Sequence, residues 1–193
     1  PVIYTLEQIT PVEASGATLF HNNPLLQLNG RGVVVGIVDT GIDYLNKEFM
    51  REDETTRILR IWDQSIEGNK EVFGVKLGVE YNATQINEAI QASKRGEDPY
   101  TIVNSKDEVG HGTSVASIVG ARGINPEVIG AAPDCDFVVV KLKQSPQVML
   151  DFAGVSTPGT GRYTTVELYF AIRYLARIAS ELNRPMVICV PLG

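Results

Sequence analysis

Two residues of this chain have the types and settings needed to move a proton during hydrolysis. Asp39 lies in Val38-Asp39-Thr40-Gly41, and His111 lies in Gly110-His111-Gly112-Thr113. A carboxylate that accepts a hydrogen bond from one ring nitrogen of a histidine fixes the tautomer and stabilises the imidazolium, so the other nitrogen can act as a general base. The sequence therefore predicts an orienting acid at Asp39 and a general base at His111.

The surroundings of each residue favour this chemistry but leave structural roles open. Asp39 precedes Gly41, which permits a sharp exit from a sheet, but from its position alone Asp39 could equally cap a turn or a helix. His111 precedes a stretch of small residues typical of a closely packed helix, where the positive end of the helix dipole disfavours the imidazolium. We interpret His21 as a structural or surface histidine and Asp43 as a solvated or capping carboxylate.

Apolar strands alternating with helical patterns predict the elements that must position this pair. Continuous apolar runs, typical of buried parallel strands, occur at 33–38, 137–140 and 186–190. Residues 58–62 alternate instead, which predicts an edge strand or hairpin arm with one wet face. Helical patterns cover 11–21, 84–94, 113–121 and 166–182. The order of these elements predicts an α/β fold, a mostly parallel sheet with helices on both faces, and in such sheets ligands bind at the carboxyl ends of strands.

The composition bounds the partners and cofactors. With 193 residues, of which 44% are hydrophobic, the chain can bury a sizeable core. Its 17 basic and 23 acidic residues give a net charge of -6, which argues against nucleic-acid binding, and no apolar run is long enough to span a membrane. Cys135 and Cys189 lack a metal-binding spacing and are predicted to be buried free thiols, and two cysteines with two histidines argue against zinc.

Taken together, the two motifs resemble those of the subtilisin-like serine proteases, or subtilases. The resemblance rests on a strand followed by Asp39-Thr40-Gly41 and a later Gly-His-Gly-Thr-small-Val-Ala, and residues 130–133 and 186–193 extend it. Segments 11–15, 20–24 and 58–64 also resemble the clostridial branch that includes the Csp spore-germination proteases. The resemblance implies the N-terminal portion of a subtilisin-like catalytic domain, truncated before the nucleophile helix, in a parent protein that is extracellular or spore-associated.

The resemblance also implies roles for individual residues. Asp39 and His111 would be the acid and base of an Asp/His/Ser triad that hydrolyses peptide bonds in a polypeptide substrate. The last residues of the chain match the family strand that pairs with extended substrate, which makes Pro191, Leu192 and Gly193 the predicted substrate-binding residues.

The nucleophile of the family is missing from this pattern. The resemblance places it in a Gly-Thr-Ser-small-Ala motif that opens a later helix, after an asparagine that supplies an oxyanion donor. Ser114 follows Gly112-Thr113, but it lies on the same predicted helix as His111 and does not match that position. We therefore expect this chain to be inactive alone.

Other departures concern the middle and the end of the chain. Asp39 and His111 are 72 positions apart, which predicts an inserted segment at about 50–108. That segment could be ordered decoration near the substrate cleft or a peripheral subdomain without function. Pro191 replaces the usual serine of the substrate-pairing strand and has no amide hydrogen to donate, and Cys189 replaces the usual asparagine.

No cofactor is predicted. Many subtilases bind calcium in the loop after the histidine helix, which is 122–128 here, but Ile124 stands where the side-chain oxygen ligand is expected and Arg122 adds positive charge. Because a hard cation needs six or more oxygen ligands, we predict no metal at this loop, although calcium elsewhere in the parent protein stays open.

Three other hypotheses compete with that of a protease portion. The first is a catalytically dead subtilase-like pseudoprotease acting as a sensor or scaffold. An aspartic-protease interpretation of Asp39-Thr40-Gly41 predicts an all-β chain, and a nucleotide-binding domain lacks its glycine-rich motif after a strand. Because a strand at the end of the chain leaves backbone groups unpaired, we also expect self-association or pairing with the remaining half of the catalytic domain.

Overall fold

A computed structural model of the chain describes residues 11–26, 28–68, 70–72, 74–152, 154 and 162–192. The strands are β1 (Val34–Asp39), β2 (Ile58–Asp63), β3 (Glu71–Val72), β4 (Val75–Lys76), β5 (Val79–Asn82), β6 (Asp136–Lys141) and β7 (Met186–Cys189). The α-helices are α1 (Pro11–Ala14), α2 (Thr18–His21), α3 (Ala83–Lys94), α4 (His111–Gly120), α5 (Gln147–Phe152) and α6 (Thr165–Leu182). Short 3-10 turns lie at Lys47–Phe49, Pro99–Thr101 and Pro126–Val128.

A five-stranded sheet in the order β5-β2-β6-β1-β7 forms the centre of the fold. β1 runs parallel to β6 on one side and to β7 on the other, and β2 continues the parallel run beyond β6. β5 closes that edge antiparallel to β2. All six residues of β1 are buried, as expected for a strand with neighbours on both sides and helices on both faces. The predicted α/β class with a mostly parallel sheet is confirmed.

Two apolar cores, one on each face of the sheet, hold the helices in place. On one face, Ile86 of α3 and Ala116 of α4 share a core with Ile37 of β1. On the other face, α6 packs through Leu175 and its neighbours. A Cβ atom at Gly36 would lie 2.9 Å from Cδ1 of Leu175, so the missing side chain lets α6 approach β1 closely.

Two local predictions are wrong. The alternating segment 58–62 is not an edge strand, because β5 pairs antiparallel with the free side of β2, an arrangement that fits the predicted hairpin arm. The predicted wet face is not found, because Ile58 and Ile61 lie in the core shared with α3 and Trp62 packs against Tyr174 of α6. The helix predicted at 11–21 is two short helices, α1 and α2, separated by a turn in which Gly16 has a φ of 73°. That left-handed conformation interrupts a helix and suits glycine.

The segment 50–108, predicted to be an insertion, is integrated into the main body of the fold. It supplies β2 and β5 to the central sheet, and α3 contributes Ile86, Ala89 and Ile90 to one of the two cores. That this segment is an insertion relative to compact subtilases stays a prediction.

None of the helices in the described part of the chain combines the length and the apolar character that a transmembrane span requires.

Candidate active site

The structure brings Asp39 and His111 together at the carboxyl end of β1. Asp39 is the last residue of that strand and its side chain is fully buried, while Nδ1 of His111 lies 2.8 Å from Oδ1 and 2.9 Å from Oδ2 of the carboxylate. The amide of Thr40 also donates to Oδ1, at 2.6 Å. Asp39 thus both caps the turn that leaves β1 and holds the ring of His111, so the structural and the chemical interpretations of this residue are compatible.

The ring of His111 is oriented as a general base requires. His111 is the first residue of α4, and its side chain is about half exposed. A carboxylate only accepts hydrogen bonds, so Nδ1 must carry the proton and Nε2 of the neutral ring is left with a free lone pair. Among the described residues, no group is hydrogen-bonded to Nε2. The nitrogen that would take a proton is therefore open.

Close backbone contact fixes α4 against the end of β1. A Cβ atom at Gly112 would lie 2.2 Å from the carbonyl oxygen of Gly41, so only glycine permits this approach. Gly110, directly before the helix, has a φ of 82°, and Gly41 has a φ of 123°. The glycines on both sides of His111 and after Asp39-Thr40 are thus required for the two side chains to meet.

Asp107 is a functional candidate that sequence reasoning missed. Its Oδ1 accepts hydrogen bonds from the Thr40 hydroxyl at 2.7 Å and the Gly110 amide at 2.9 Å. Its Oδ2 accepts from the amide and the hydroxyl of Thr113, at 2.8 and 2.6 Å. One carboxylate therefore caps the start of α4 and ties it to the residue after Asp39. The sequence contains no clear signal for this role, because Asp107 lies three residues before the N-cap position Gly110, whereas a capping side chain usually stands at the N-cap itself.

Two threonines complete this connection. Besides donating to Asp107, the hydroxyl of Thr40 accepts a hydrogen bond from the amide of Gly112 at 2.9 Å. The hydroxyl of Thr113 likewise accepts from the amide of Asp43 at 2.9 Å. The Asp43 side chain is exposed and accepts from the amide of Leu45, which confirms its prediction as a solvated or capping carboxylate.

The interactions of Asp107 favour its ionised form. Burial acts to raise the pKa of this carboxyl, but the hydrogen bonds from the side chains of Thr113 and Thr40 and from the Thr113 and Gly110 amides outweigh burial, so the pKa lies below its usual value. A negative charge at this position also complements the positive end of the α4 dipole.

A cleft of about 390 Å³ opens beside Thr40, between the carboxyl ends of the strands and the loop before α4. Leu142, Tyr163 and Glu108 contribute to its walls. Burial and, after it, the charges of Asp39 and Asp107 raise the pKa of Tyr163, which indicates that the phenol lies near the candidate acid.

A larger groove, of about 930 Å³, lies at the opposite, amino ends of the strands. Two ion pairs join residues of this groove, Arg31 with Asp134 and Arg51 with Asp136. None of its lining residues lies at the carboxyl end of β1, whereas the smaller cleft is lined by Thr40, the residue directly after Asp39, so the smaller cleft is the one associated with the candidate site.

The predicted substrate segment lies next to β1. β7 pairs with β1 in a register that aligns Cys189 with Ile37, two residues before Asp39. Pro191 is partly buried and Leu192 is exposed, while Gly193 lies outside the described residues. Burial and then the charge of Asp39 raise the pKa of the Cys189 thiol, so this side of β7 faces the candidate acid.

The remaining predicted residues have structural roles. Cys135 is a free thiol and fully buried, as predicted, and burial raises its pKa to about 11. Cys189 is also a free thiol but only partly buried. Nε2 of His21 lies 2.8 Å from the carbonyl oxygen of Ala131, which confirms His21 as a structural histidine.

The loop 122–128 does not fit the calcium ion that the resemblance implies for other family members. The carboxylate of Glu48 accepts hydrogen bonds from the amides of Gly123 at 2.8 Å, Ile124 at 3.2 Å and Asn125 at 2.8 Å. These amide hydrogens point at an anion, whereas a cation needs converging oxygens. The side-chain oxygen of Asn125 accepts from the amide of Glu127 within the loop. In the described residues, no group of three or more His, Cys, Asp or Glu side chains could hold a metal ion.

We expect the variant Asp107→Asn to lower the free energy of unfolding by about 1–2 kcal/mol at neutral pH, because the amide keeps one acceptor oxygen and its NH2 group cannot accept the hydrogen bonds that the second carboxylate oxygen receives. Because the pKa of Asp107 is depressed in the folded chain, its ionisation stabilises the fold above the unfolded pKa, and this contribution is lost as the pH falls through the folded pKa. The difference between wild type and variant in urea unfolding should therefore shrink as the pH is lowered through that window. Glu108→Gln, at a neighbouring exposed carboxylate, is the control, and a difference for D107N that does not change with pH would contradict the assignment.

Known proteins resemble this chain in sequence and in structure. The model of the subtilase family matches residues 30–158, which is more than half of the chain. The structure of the CspB protease of Clostridium perfringens is similar, with a TM-score of 0.73 and 29% sequence identity over 94% of this chain and 34% of the CspB chain. The chain thus spans about a third of the length of that protein. A search of curated proteins found no match. By its sequence and its fold, this chain belongs to the subtilase family.

Proposed function

We propose that this chain carries the acid and the base of a subtilisin-like serine endopeptidase, a fragment that contributes two of the three triad residues and part of the substrate cleft. The observation that supports this most is the contact of both carboxylate oxygens of buried Asp39 with Nδ1 of His111, at 2.8 and 2.9 Å. The family to which the chain belongs, and the protease to which its structure is similar, agree with hydrolysis of polypeptides.

The proposed reaction proceeds through an acyl-enzyme. Nε2 of His111 takes the proton from a serine hydroxyl as that oxygen attacks the carbonyl carbon of the scissile peptide bond, and Asp39 stabilises the imidazolium that forms. His111 then donates this proton to the leaving amine as the C–N bond breaks. Water then attacks the acyl carbon while the same nitrogen takes its proton, and as the C–O bond to the serine breaks, His111 returns that proton to the serine oxygen and the carboxylic acid is released.

The serine of this reaction is not Ser114. Its hydroxyl donates to the carbonyl of Gly110 at 2.8 Å, within the first turn of α4, and Ser114 is on the same helix as the base. Neither the family's nucleophile motif nor its oxyanion asparagine is present in the sequence. Because loss of the nucleophile from such a triad costs about 10⁶-fold in turnover, we propose that the chain is inactive unless another part of the catalytic domain supplies the serine.

The substrate is proposed to bind as an added strand beside 190–193. Pro191 has no amide to donate but keeps its carbonyl, so this residue can only accept a hydrogen bond from the substrate backbone. Leu192 and Gly193 remain the other proposed contacts. β7 is the outer strand of the sheet, with Val187 and Ile188 exposed, which supports pairing of this edge with the remainder of the domain or with a second chain. Secretion or association with the spore stays a prediction from the resemblance.

We also infer that the loop 122–128 needs no calcium, because Glu48 accepts from three of its amides. The midpoint of thermal unfolding should then be the same in excess calcium and in EDTA. Glu48→Gln should lower that midpoint in both, since a neutral amide oxygen is a weaker acceptor for the three donors and hydrogen bonds to charged groups contribute about 1.5–3 kcal/mol. Lys47→Gln, at the adjacent exposed residue, is the matched control. A saturable rise of the midpoint with calcium in the wild-type chain would refute the inference.

The protease function is tested by labelling the full-length gene product with a serine-directed fluorophosphonate. We expect labelling in the wild type, and a rate about 10⁴-fold lower in Asp39→Asn, because the wrong histidine tautomer can no longer accept the serine proton. Asp43→Asn, at an exposed carboxylate near the same strand end, should be labelled at the wild-type rate.

A folded full-length protein that takes no label would instead favour the pseudoprotease hypothesis, a sensor or scaffold with a retained fold. The observations that favour this second function are Pro191 and Cys189, which differ from the residues usual at these positions in the family.

A further inference from the structure

A second group of buried polar side chains lies beside the candidate pair and takes no part in the proposed chemistry. Asp63 ends β2 and Lys141 ends β6, just as Asp39 ends β1. The register pairs Lys141 with Asp39 on one side and with Asp63 on the other, so the three residues stand side by side at the same edge of the sheet.

Asp63 and Lys141 both bind the loop that precedes α4. The fully buried Asp63 accepts a hydrogen bond from the hydroxyl of Ser105 at 2.7 Å. Lys141, whose side chain is mostly buried, donates through its ammonium to the carbonyl of Lys106 at 2.7 Å, and this nitrogen lies 3.7 Å from Oδ2 of Asp63. Two consecutive loop residues are thereby bound to the ends of the sheet strands, Ser105 through its side chain and Lys106 through its backbone carbonyl.

The geometry of these contacts is restricted because the carboxylate of Asp63 is fully buried and the side chain of Lys141 is mostly buried. A buried carboxylate or ammonium is costly unless its hydrogen bonds are made, so Asp63 and Lys141 favour one arrangement of the loop over others. The remaining oxygen of Asp63 is used as well, since it accepts from the amide and the hydroxyl of Ser65 at 2.9 and 2.5 Å. The carboxylate of Asp63 is therefore also held by Ser65, which follows the end of β2.

The next residue along the loop is Asp107, which connects Thr40 with the first turn of α4. The position of Asp107 depends on where Ser105 and Lys106 are held, and the position of His111 depends on Asp107. The stem of Lys141 also packs against the exit from β1, since a Cβ atom at Gly41 would lie 3.3 Å from its Cδ.

We propose that Asp63 and Lys141 are positioning residues for His111, acting through Ser105, Lys106 and Asp107. They fix the loop in the arrangement that lets Asp107 hold the start of α4, and α4 in turn holds the ring of His111 against Asp39. Their catalytic relevance rests on the function proposed above, but the positioning itself is a property of this chain and can be measured without activity.

The first test is amide hydrogen exchange in this chain with Lys141→Met, which keeps the apolar stem and removes the charge. We expect the amides of Gly110 and Thr113, which donate to Asp107, to exchange about tenfold faster or more, while amides in the centre of β1 keep their protection. The NMR signal of the Nδ1 proton of His111, visible only while its bond to Asp39 protects it from exchange, should broaden or disappear.

Matched variants separate positioning from general destabilisation. Lys143→Met removes an exposed lysine two residues further on and should change neither the exchange rates nor the His111 signal. Lys141→Arg, which can still donate to the Lys106 carbonyl, should largely restore both. If K141M does not fold, Ser105→Ala removes one of the two anchors and should accelerate the same two amides more than those of β1.

The second test is steady-state kinetics in the full-length gene product, once wild-type activity has been shown. K141M should lower kcat by about tenfold to a hundredfold with little change in KM, because a misplaced base affects the chemical step more than substrate binding. A variant that only lowers the unfolding midpoint, with the two amides, the Nδ1 proton and kcat unchanged, would overturn the proposal. A wild-type protein without activity would refute the proposed function. It would not bear on the positioning of His111, which the exchange experiment tests separately.

Discussion

The hydrogen bond between the buried carboxylate of Asp39 and Nδ1 of His111 is the interaction on which the rest of this structure depends. A fully buried carboxylate at a strand end is costly unless it is satisfied, and here the amide of Thr40 and the ring of His111 satisfy it. The bond requires α4 to begin directly against the end of β1. That requirement explains Gly112, where any side chain would clash with the carbonyl of Gly41.

Helix α4 is held at both ends by charges that match its dipole. Asp107 accepts hydrogen bonds at the amino end, and the buried guanidinium of Arg57 donates to the carbonyl of Gly120 at the carboxyl end. Arg57 also donates to the carbonyls of Glu48, Pro133 and Cys135, which ties the end of α4 to the segments before and after it. Burial lowers the pKa of Arg57, while neighbouring groups such as Asp136 act to raise it. The helix that carries the candidate base is thus fixed through internal charges.

Much of this arrangement could be predicted from local sequence patterns, because the spacing of apolar residues indicates which side chains are buried. The continuous apolar runs at β1, β6 and β7 indicated a parallel sheet, and the spacing in α6 indicated a helix with one apolar face. The conjunction of an aspartate at a strand end with a histidine before small residues predicted that Asp39 and His111 would meet. Each strand, helix and motif is set by residues close together in sequence, whereas the meeting of two motifs 72 positions apart was predicted from their joint occurrence.

What could not be predicted depends on contacts between distant residues. The alternation in β2 suggested an edge strand with an exposed face, because nothing within 58–62 shows that β5 will pair with its free edge or that α3 and α6 will cover its two faces. The links of Asp107 to Thr40 and of Asp63 to Ser105 join residues 67 and 42 positions apart, so a carboxylate that fixes the site looks like any loop or strand-end acid in the sequence. The same is true of Glu48, whose carboxylate faces loop amides 75 or more positions away.

The tautomer of His111 in the wild-type chain tests the central claim most directly. The chain has two histidines, and both can be observed in one long-range ¹⁵N–¹H correlation spectrum at a pH where the rings are neutral. We expect opposite tautomers, with the proton on Nδ1 of His111, which faces Asp39, and on Nε2 of His21, which faces the carbonyl of Ala131. In Asp39→Asn, only the His111 signals should change. A wild-type His111 that carries its proton on Nε2 would contradict its assignment as a base poised by Asp39.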